Sequence, residues 1–402
     1  MVCYRFAFSA RALAFGLVTC IATARAEPPK SGCGRAGCGT VFSFDLKTGK
    51  EKVLHSFVRK GDKDGYSPLS TLTAIGNALY GTTELGGSSI SGTVFSVDRI
   101  SGAETIVHSF RGGGDGIYPD AGLMKLAGLL YGTTSYGGGE SCGGSGCGTL
   151  FSVDPGTGTV TVLHAFVQNG TDGNVPEDTP LALGGILYGT TLSGGSASFS
   201  CGTVFSVDPA KGTETVLYSF QFGSDGAYPY AGLTKLGGTL YGTTSYGGVA
   251  QNGGTVFSVA PSTGAEAVVY RFQRQSGDGF SPYAGLDAMG GLLYGTTCSG
   301  GASDAGIVFA LDPGSGTETV LHSFQNSDGN CPGGLINVGG TLYGSTGSGG
   351  PYGDGTLFSI TTAGVETTLH SFSGRDGRGP AASLRFVRGK FYGTTAEGGH
   401  DG

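Results

Sequence analysis

The sequence predicts an all-β fold: a seven-bladed β-propeller of four-stranded antiparallel blades, closed by N-terminal C and D strands pairing with C-terminal A and B strands. Three observations predict it. One unit recurs seven times, its marker residues spaced 49 to 57 positions apart. The two ends of the repeat region carry complementary halves of that unit. Gly makes up 81 of 402 residues and sits beside 23 Phe and 18 Tyr, which suits many short strands joined by tight turns rather than collagen or disorder.

Residues 1–26 read as a signal peptide. Arg5 and Arg11 form a basic start, residues 12–22 an apolar run too short for a membrane span, and Ala24-Arg25-Ala26 a small-x-small cleavage site. Residues 27–38 form a short lead-in containing Gly and Cys, and 39–402 a single propeller domain. That domain opens with strands C and D alone, at Gly39–Phe57. It finishes with strands A and B alone, at Ala382–Thr395. Two halves make one blade, and pairing them would close the ring; a solenoid would need capping repeats instead.

The complete unit is clearest over 230–272. Tyr230–Leu236 is strand A, Gly237-Gly238 a turn and Thr239–Thr244 strand B. Gly254–Val259 is strand C, Pro261 to Gly264 a turn, and Glu266–Phe272 strand D. The marker Phe of strand C is Phe42, Phe95, Phe151, Phe205, Phe257, Phe309 and Phe358. The marker Tyr of strand B is Tyr80, Tyr131, Tyr188, Tyr241, Tyr294, Tyr343 and Tyr392. These aromatics should fill the wedges between blades, since the chain has no Trp.

Removing the leader takes away three Arg and no acid. It leaves 20 basic against 30 acidic residues, a net charge of −10. Such a surface argues against nucleic acid and against an anionic membrane. Seven of the nine Cys remain, an odd number, in a chain headed for an oxidising compartment. Cys33 with Cys38, and Cys142 with Cys147, share a C-x4-C spacing that suits local disulfides. Cys298 and Cys331 lie in loops that neighbour each other on the ring and suit a third bond, which leaves Cys201 over.

The L-Y-G-T-T, G-T-V-F-S-V-D and L-H-S-F blocks recur in fixed order over Gly39–Gly399. In them the chain resembles the GloVer (Gloeo/Verruco) tandem repeat of bacterial exported proteins. The resemblance implies a secreted, periplasmic or cell-surface location. It implies no particular activity and supplies no catalytic residues.

Candidate chemistry gathers on one face. In an antiparallel blade the B–C and D–A loops share a face, opposite the A–B and C–D hairpins. The D–A loop carries a D-G-x-x-P motif whose acids are Asp64, Asp115, Asp172, Asp225, Asp278, Asp328 and Asp376, expected near the start of each innermost strand. Asp-Gly is a turn signal, and a ring of carboxylates is also a candidate site for a hard cation such as calcium. Tyr66, Tyr118, Tyr228, Tyr230, Phe280 and Tyr283 vary around this loop and are candidate ligand contacts. Glu177 and Asp178 are an acidic pair that breaks the repeat.

Five of the six His occupy one repeat position (His55, His108, His164, His322 and His370), where the other two copies carry Tyr218 and Tyr270. Interchange with Tyr marks them as packing residues. No catalytic set stands out. The sequence therefore reads as a non-catalytic module binding an extracellular glycan or protein. The alternative is a saccharide- or lactone-directed hydrolase or lyase with acids at the channel mouth.

Overall fold

Val, Thr, Phe and Tyr alternate along the strands of each repeat, and Gly at positive φ turns the chain between them. The computed structural model describes residues 37–58, 64–196, 200–248, 252–275, 277–380 and 382–399. The expected leader and Cys33 lie outside these. In one repeat the strands are Thr234–Leu236 (A), Thr239–Thr244 (B), Thr255–Val259 (C) and Glu266–Arg271 (D), antiparallel in that order. Strand A is shorter than the sequence suggests. The residues before it leave the ladder to bond sideways, the Ala231 carbonyl accepting from Thr190 Oγ1 of the preceding blade at 3.0 Å.

Seven such sheets form the ring. We number the blades by chain order: blade 2 spans 73–109, blade 3 124–165, blade 4 181–219, blade 5 234–271, blade 6 287–323 and blade 7 336–371. Blade 1 is the composite one. Its strand C, Thr40–Asp45, pairs with strand B, Lys390–Thr395, in unbroken register from Thr40 opposite Thr395 to Asp45 opposite Lys390. No helix among the described residues is long and apolar enough to cross a membrane.

The core lies between blades. The marker Phe of each strand C meets, edge to face, the Phe that ends strand D of the preceding blade. Seven such pairs circle the axis with ring centroids 5.0 to 5.2 Å apart, and Phe372–Phe42 completes the circle. The Gly of L-Y-G-T-T is the seat of this ring. A Cβ on Gly242 would lie 2.5 Å from Cζ of Phe257, so only Gly lets the ring lie across strand B.

Polar groups also cross between blades. The first Thr of L-Y-G-T-T donates to a carbonyl just before strand A of the next blade, as Thr82 does to Ala121 at 2.7 Å and Thr394 to Ser70 at 3.1 Å. The residue before the motif Pro adopts positive φ in every repeat, from Ser67 at 58° to Cys331 at 54° and Gly379 at 65°. That turn lets one residue staple two blades: Tyr228 donates its N–H to the Cys201 carbonyl, and its own carbonyl accepts from Ser245.

Each strand D carries one β-bulge opposite strand C. In blade 1, Val41 faces His55 but Phe42 faces Val53, leaving Leu54 as the extra residue. The same shift recurs in the other six blades. A bulge moves the residues beyond it to the other face of the sheet, and this positions the site described next.

Candidate functional site on the loop face

Without the bulge, His55 and Glu51 would share a face of strand D. With it, the His points forward to the next blade and the Glu points back to the previous one. At every junction the forward residue meets the motif Asp of the D–A loop. His Nε2 lies 3.9 Å from Asp64, 3.5 Å from Asp115, 3.1 Å from Asp172, 3.1 Å from Asp328 and 2.8 Å from Asp376. At the other two junctions Tyr218 donates to Asp225 at 2.9 Å and Tyr270 to Asp278 at 3.2 Å. Each Asp also accepts the backbone N–H just beyond strand D, as from Val167 and from Gln221. The seven carboxylates are therefore turned back onto the outermost strands, not toward the innermost strands near which the sequence placed them.

The Glu of the following blade completes each cluster. Glu51 reaches the His370–Asp376 pair, Glu104 reaches His55–Asp64, Glu214 reaches His164–Asp172 and Glu366 reaches His322–Asp328, with one donor atom per residue all within 4.8 Å. Glu266 and Glu318 stand at the two Tyr junctions. Val160 holds the equivalent position at the junction of blades 2 and 3. Burial pushes the carboxyls of Glu51, Glu104, Glu214, Glu266 and Glu318 up to about 7, with Asp charges nearby adding to the effect.

This has a measurable consequence at Glu318, which faces Tyr270 and Asp278. Its folded pKa is raised above the unfolded value, so between roughly pH 4.5 and 7 the folded chain holds the proton more tightly. Its contribution to stability therefore falls as pH rises through that window. Glu318→Gln should melt higher relative to wild type above pH 7 than at pH 4.5. A melting difference that is constant over that range would remove the explanation.

The varied aromatics also assemble, around blades 5 and 6. Tyr246 stacks with Phe222 at 5.8 Å and tilts against Tyr228 at 6.4 Å. The exposed Arg274 lies over Tyr246 at 5.9 Å and over Phe280 at 4.8 Å. Tyr230 and Tyr283 meet edge to face at 5.2 Å. Tyr118 pairs with Tyr136 in the corresponding loops of blade 3, and Tyr66 opens a short ladder opposite Leu85. Asp178 lies at the entry to the inner strand of blade 4. Burial raises its carboxyl, which accepts from the backbone N–H of Gly232 in the next blade and of Thr179. Its neighbour Glu177 is half-buried.

Two of the expected disulfides are present, Cys142–Cys147 and Cys298–Cys331. Cys38 is disulfide-bonded as well. The expectation that Cys201 is left over is corrected, because Cys201 is itself disulfide-bonded and fully buried. The reading of the repeated His as packing residues holds in part. Their rings sit edge to face on the Phe two positions on, as His164 does on Phe166 at 4.7 Å. Their Nε2 atoms, however, belong to the acidic junctions. Sequence reasoning missed the Glu members, although each recurs four residues before the His or Tyr. It also missed Phe222, Tyr246 and Arg274.

Fold and junctions together define a class: a closed seven-bladed propeller whose blades are joined by repeated aromatic pairs and acidic clusters. The chain belongs to the family of the Gloeobacter/Verrucomicrobia repeat, whose model matches residues 30–200 and 182–402. Comparison with curated protein sequences gives no match. Among solved structures, the extracellular domain of a candidate one-component system from B. thetaiotaomicron superposes with a TM-score of 0.55 at 13% identity. That match covers 83% of this chain and 38% of the other. A candidate 6-phosphogluconolactonase from Bacteroides uniformis ATCC 8492 superposes at 0.52 with 14% identity, over 83% of this chain and 95% of the other. One from Bacteroides fragilis NCTC 9343 superposes at 0.50 with 14% identity, over 85% and 95%. At these identities the likeness is one of fold.

Proposed function

We propose that this chain is a secreted or cell-surface binding module, non-catalytic, whose loop face holds an extracellular glycan. The observation that carries the proposal is the patch of Phe222, Tyr228, Tyr246 and Phe280 with Arg274 beside it, on the face shared by the B–C and D–A loops. Half-buried aromatic faces offer apolar platforms for the C–H faces of sugar rings, and a guanidinium offers donors to hydroxyl or carboxylate groups. The disulfides and the family's repeat support an oxidising, extracellular setting.

The competing reading is a saccharide- or lactone-directed hydrolase, and two of the structural neighbours carry a lactonase description. Against it, Asp178 spends its carboxylate on holding blade 4 to blade 5. Affinity electrophoresis against a panel of neutral and acidic polysaccharides tests the proposal. Retardation that weakens about tenfold in Tyr246→Ala and Arg274→Ala is expected, a loss equivalent to about 1.4 kcal/mol. Failure of every polysaccharide to retard the chain, or saccharide or lactone turnover abolished by Asp178→Asn, would replace this reading with the other.

A further inference from the structure

The junction of blades 3 and 4 brings together one imidazole and two carboxylates from three separate chain segments. His164 is the next-to-last residue of strand D of blade 3, Asp172 follows in the D–A loop, and Glu214 comes from strand D of blade 4. We propose that this cluster, and its three repeats at His55–Asp64–Glu104, His322–Asp328–Glu366 and His370–Asp376–Glu51, are binding sites for a divalent transition metal of the zinc class.

Four observations carry the assignment. The first is geometry. A tetrahedral zinc centre with ligands at 2.0–2.1 Å separates them from one another by about 3.3 Å. His164 Nε2 and Asp172 Oδ2 are 3.1 Å apart, and all three donors lie within 4.8 Å of one another. At His55–Asp64 the gap is 3.9 Å, too long for a hydrogen bond yet short enough for an ion to bridge after a small rotation.

The second is unmet bonding capacity in buried positions. Asp172 is only 7% exposed, its Oδ2 accepts from Val167 N–H and His164, and its Oδ1 has no hydrogen-bond partner among the described residues. Glu214 Oε1 is in the same condition. So are Glu51 Oε1, Glu104 Oε1, Asp64 Oδ1 and His55 Nε2 at two of the three sister junctions, and His108 Nε2, Glu266 Oε1 and Glu318 Oε1 at the junctions that lack one of the three ligands. Buried polar atoms are rarely left in that state.

Charge is the third. In their ligating forms two carboxylates and an imidazole carry −2, which a divalent ion cancels, and no Lys or Arg is among the charges acting on the four Glu. The fourth is ligand chemistry. Calcium prefers six to eight oxygens, whereas one imidazole with two carboxylates and an open position suits zinc and its first-row neighbours.

The ring supplies its own comparison sites. The junction of blades 2 and 3 keeps His108 and Asp115 but offers Val160 where Glu is needed. Those of blades 4/5 and 5/6 offer Tyr218 and Tyr270 instead of His. On this assignment the chain takes up four ions, not seven. These sites join blades, and they stand apart from the aromatic patch of the proposed function.

The test uses the full chain, stripped with a chelator, dialysed and titrated with zinc alone, with metal counted by elemental analysis. Four bound ions per chain are expected. Glu214→Gln should bind three, and Val160→Glu should bind five by completing the His108–Asp115 pair. Far-ultraviolet circular dichroism establishes that each variant is folded. The gain in Val160→Glu is a readout that a merely destabilised variant cannot mimic. No zinc uptake, calcium uptake without zinc uptake, or a stoichiometry that Glu214→Gln leaves unchanged overturns the proposal.

Discussion

Phe372→Ala is expected to cost about 3–5 kcal/mol of folding stability, the range for emptying a fully buried Phe site. Phe372 is 1% exposed and lies edge to face on Phe42, with Leu357, Leu384 and Phe391 around it. The position has a further consequence that its six repeats lack. It faces the composite blade, where Thr40–Asp45 and Lys390–Thr395, far apart in the chain, are held by strand pairing, wedge packing, side-chain hydrogen bonds between Thr40 and Thr395 and a Lys390–Asp45 ion pair. Loosening that wedge should therefore open blade 1 first. Native-state hydrogen exchange should show the backbone amides of Thr40–Asp45 losing protection before those of blades 3 to 5. Phe272→Ala, at the junction of blades 5 and 6, should cost a similar amount while leaving the amides of blade 1 protected. A loss below about 1 kcal/mol in Phe372→Ala, or identical exchange patterns in the two variants, would contradict the wedge as the closing element.

Asp225→Ala should cost about 3 kcal/mol, because three donors are left without an acceptor in a site that water scarcely reaches. Asp225 is 9% exposed. Its Oδ2 accepts from Gln221 N–H at 2.8 Å and from the Tyr218 hydroxyl at 2.9 Å, and its Oδ1 accepts from Gly223 N–H at 3.2 Å. The carboxylate shapes the loop that carries Tyr228 and Tyr230, so its loss disturbs the proposed ligand face as well as the blade junction. Asp225→Asn keeps one carbonyl acceptor and should recover roughly half of the loss. Urea unfolding of the two variants measures the difference. Equal stability of wild type and Asp225→Ala would mean that the motif Asp is dispensable to the turn.

The same residue shows how far a sequence can be read. Asp225 followed by Gly226 announces a turn from the chain alone, because an Asp can cap neighbouring backbone N–H groups and Gly permits the tight path after it. The structure confirms the turn, with Gly226 at a φ of 103°. Its partner was not legible. Tyr218 lies seven residues earlier on strand D, and only folding of the loop back onto that strand brings the phenol to the carboxylate.

Blade number, blade order and the wedge aromatics follow from local information repeated seven times. Alternation with period two marks the strands, Gly marks the turns, and a Phe that recurs in every copy has to be core in every copy. The complementary half-units announced the composite blade in the same way, and Thr40–Asp45 does pair with Lys390–Thr395. The acidic junctions arise differently. Period-two counting places Glu51 and His55 on one face of strand D. The bulge at Leu54 turns His55 to the other, and the same event in each blade sends every Glu to a different neighbour from its own His. A bulge is the outcome of how strand D is paired with strand C and how the next blade presses on it. Its information lies in contacts about 50 residues apart in the chain, out of reach of spacing within one strand.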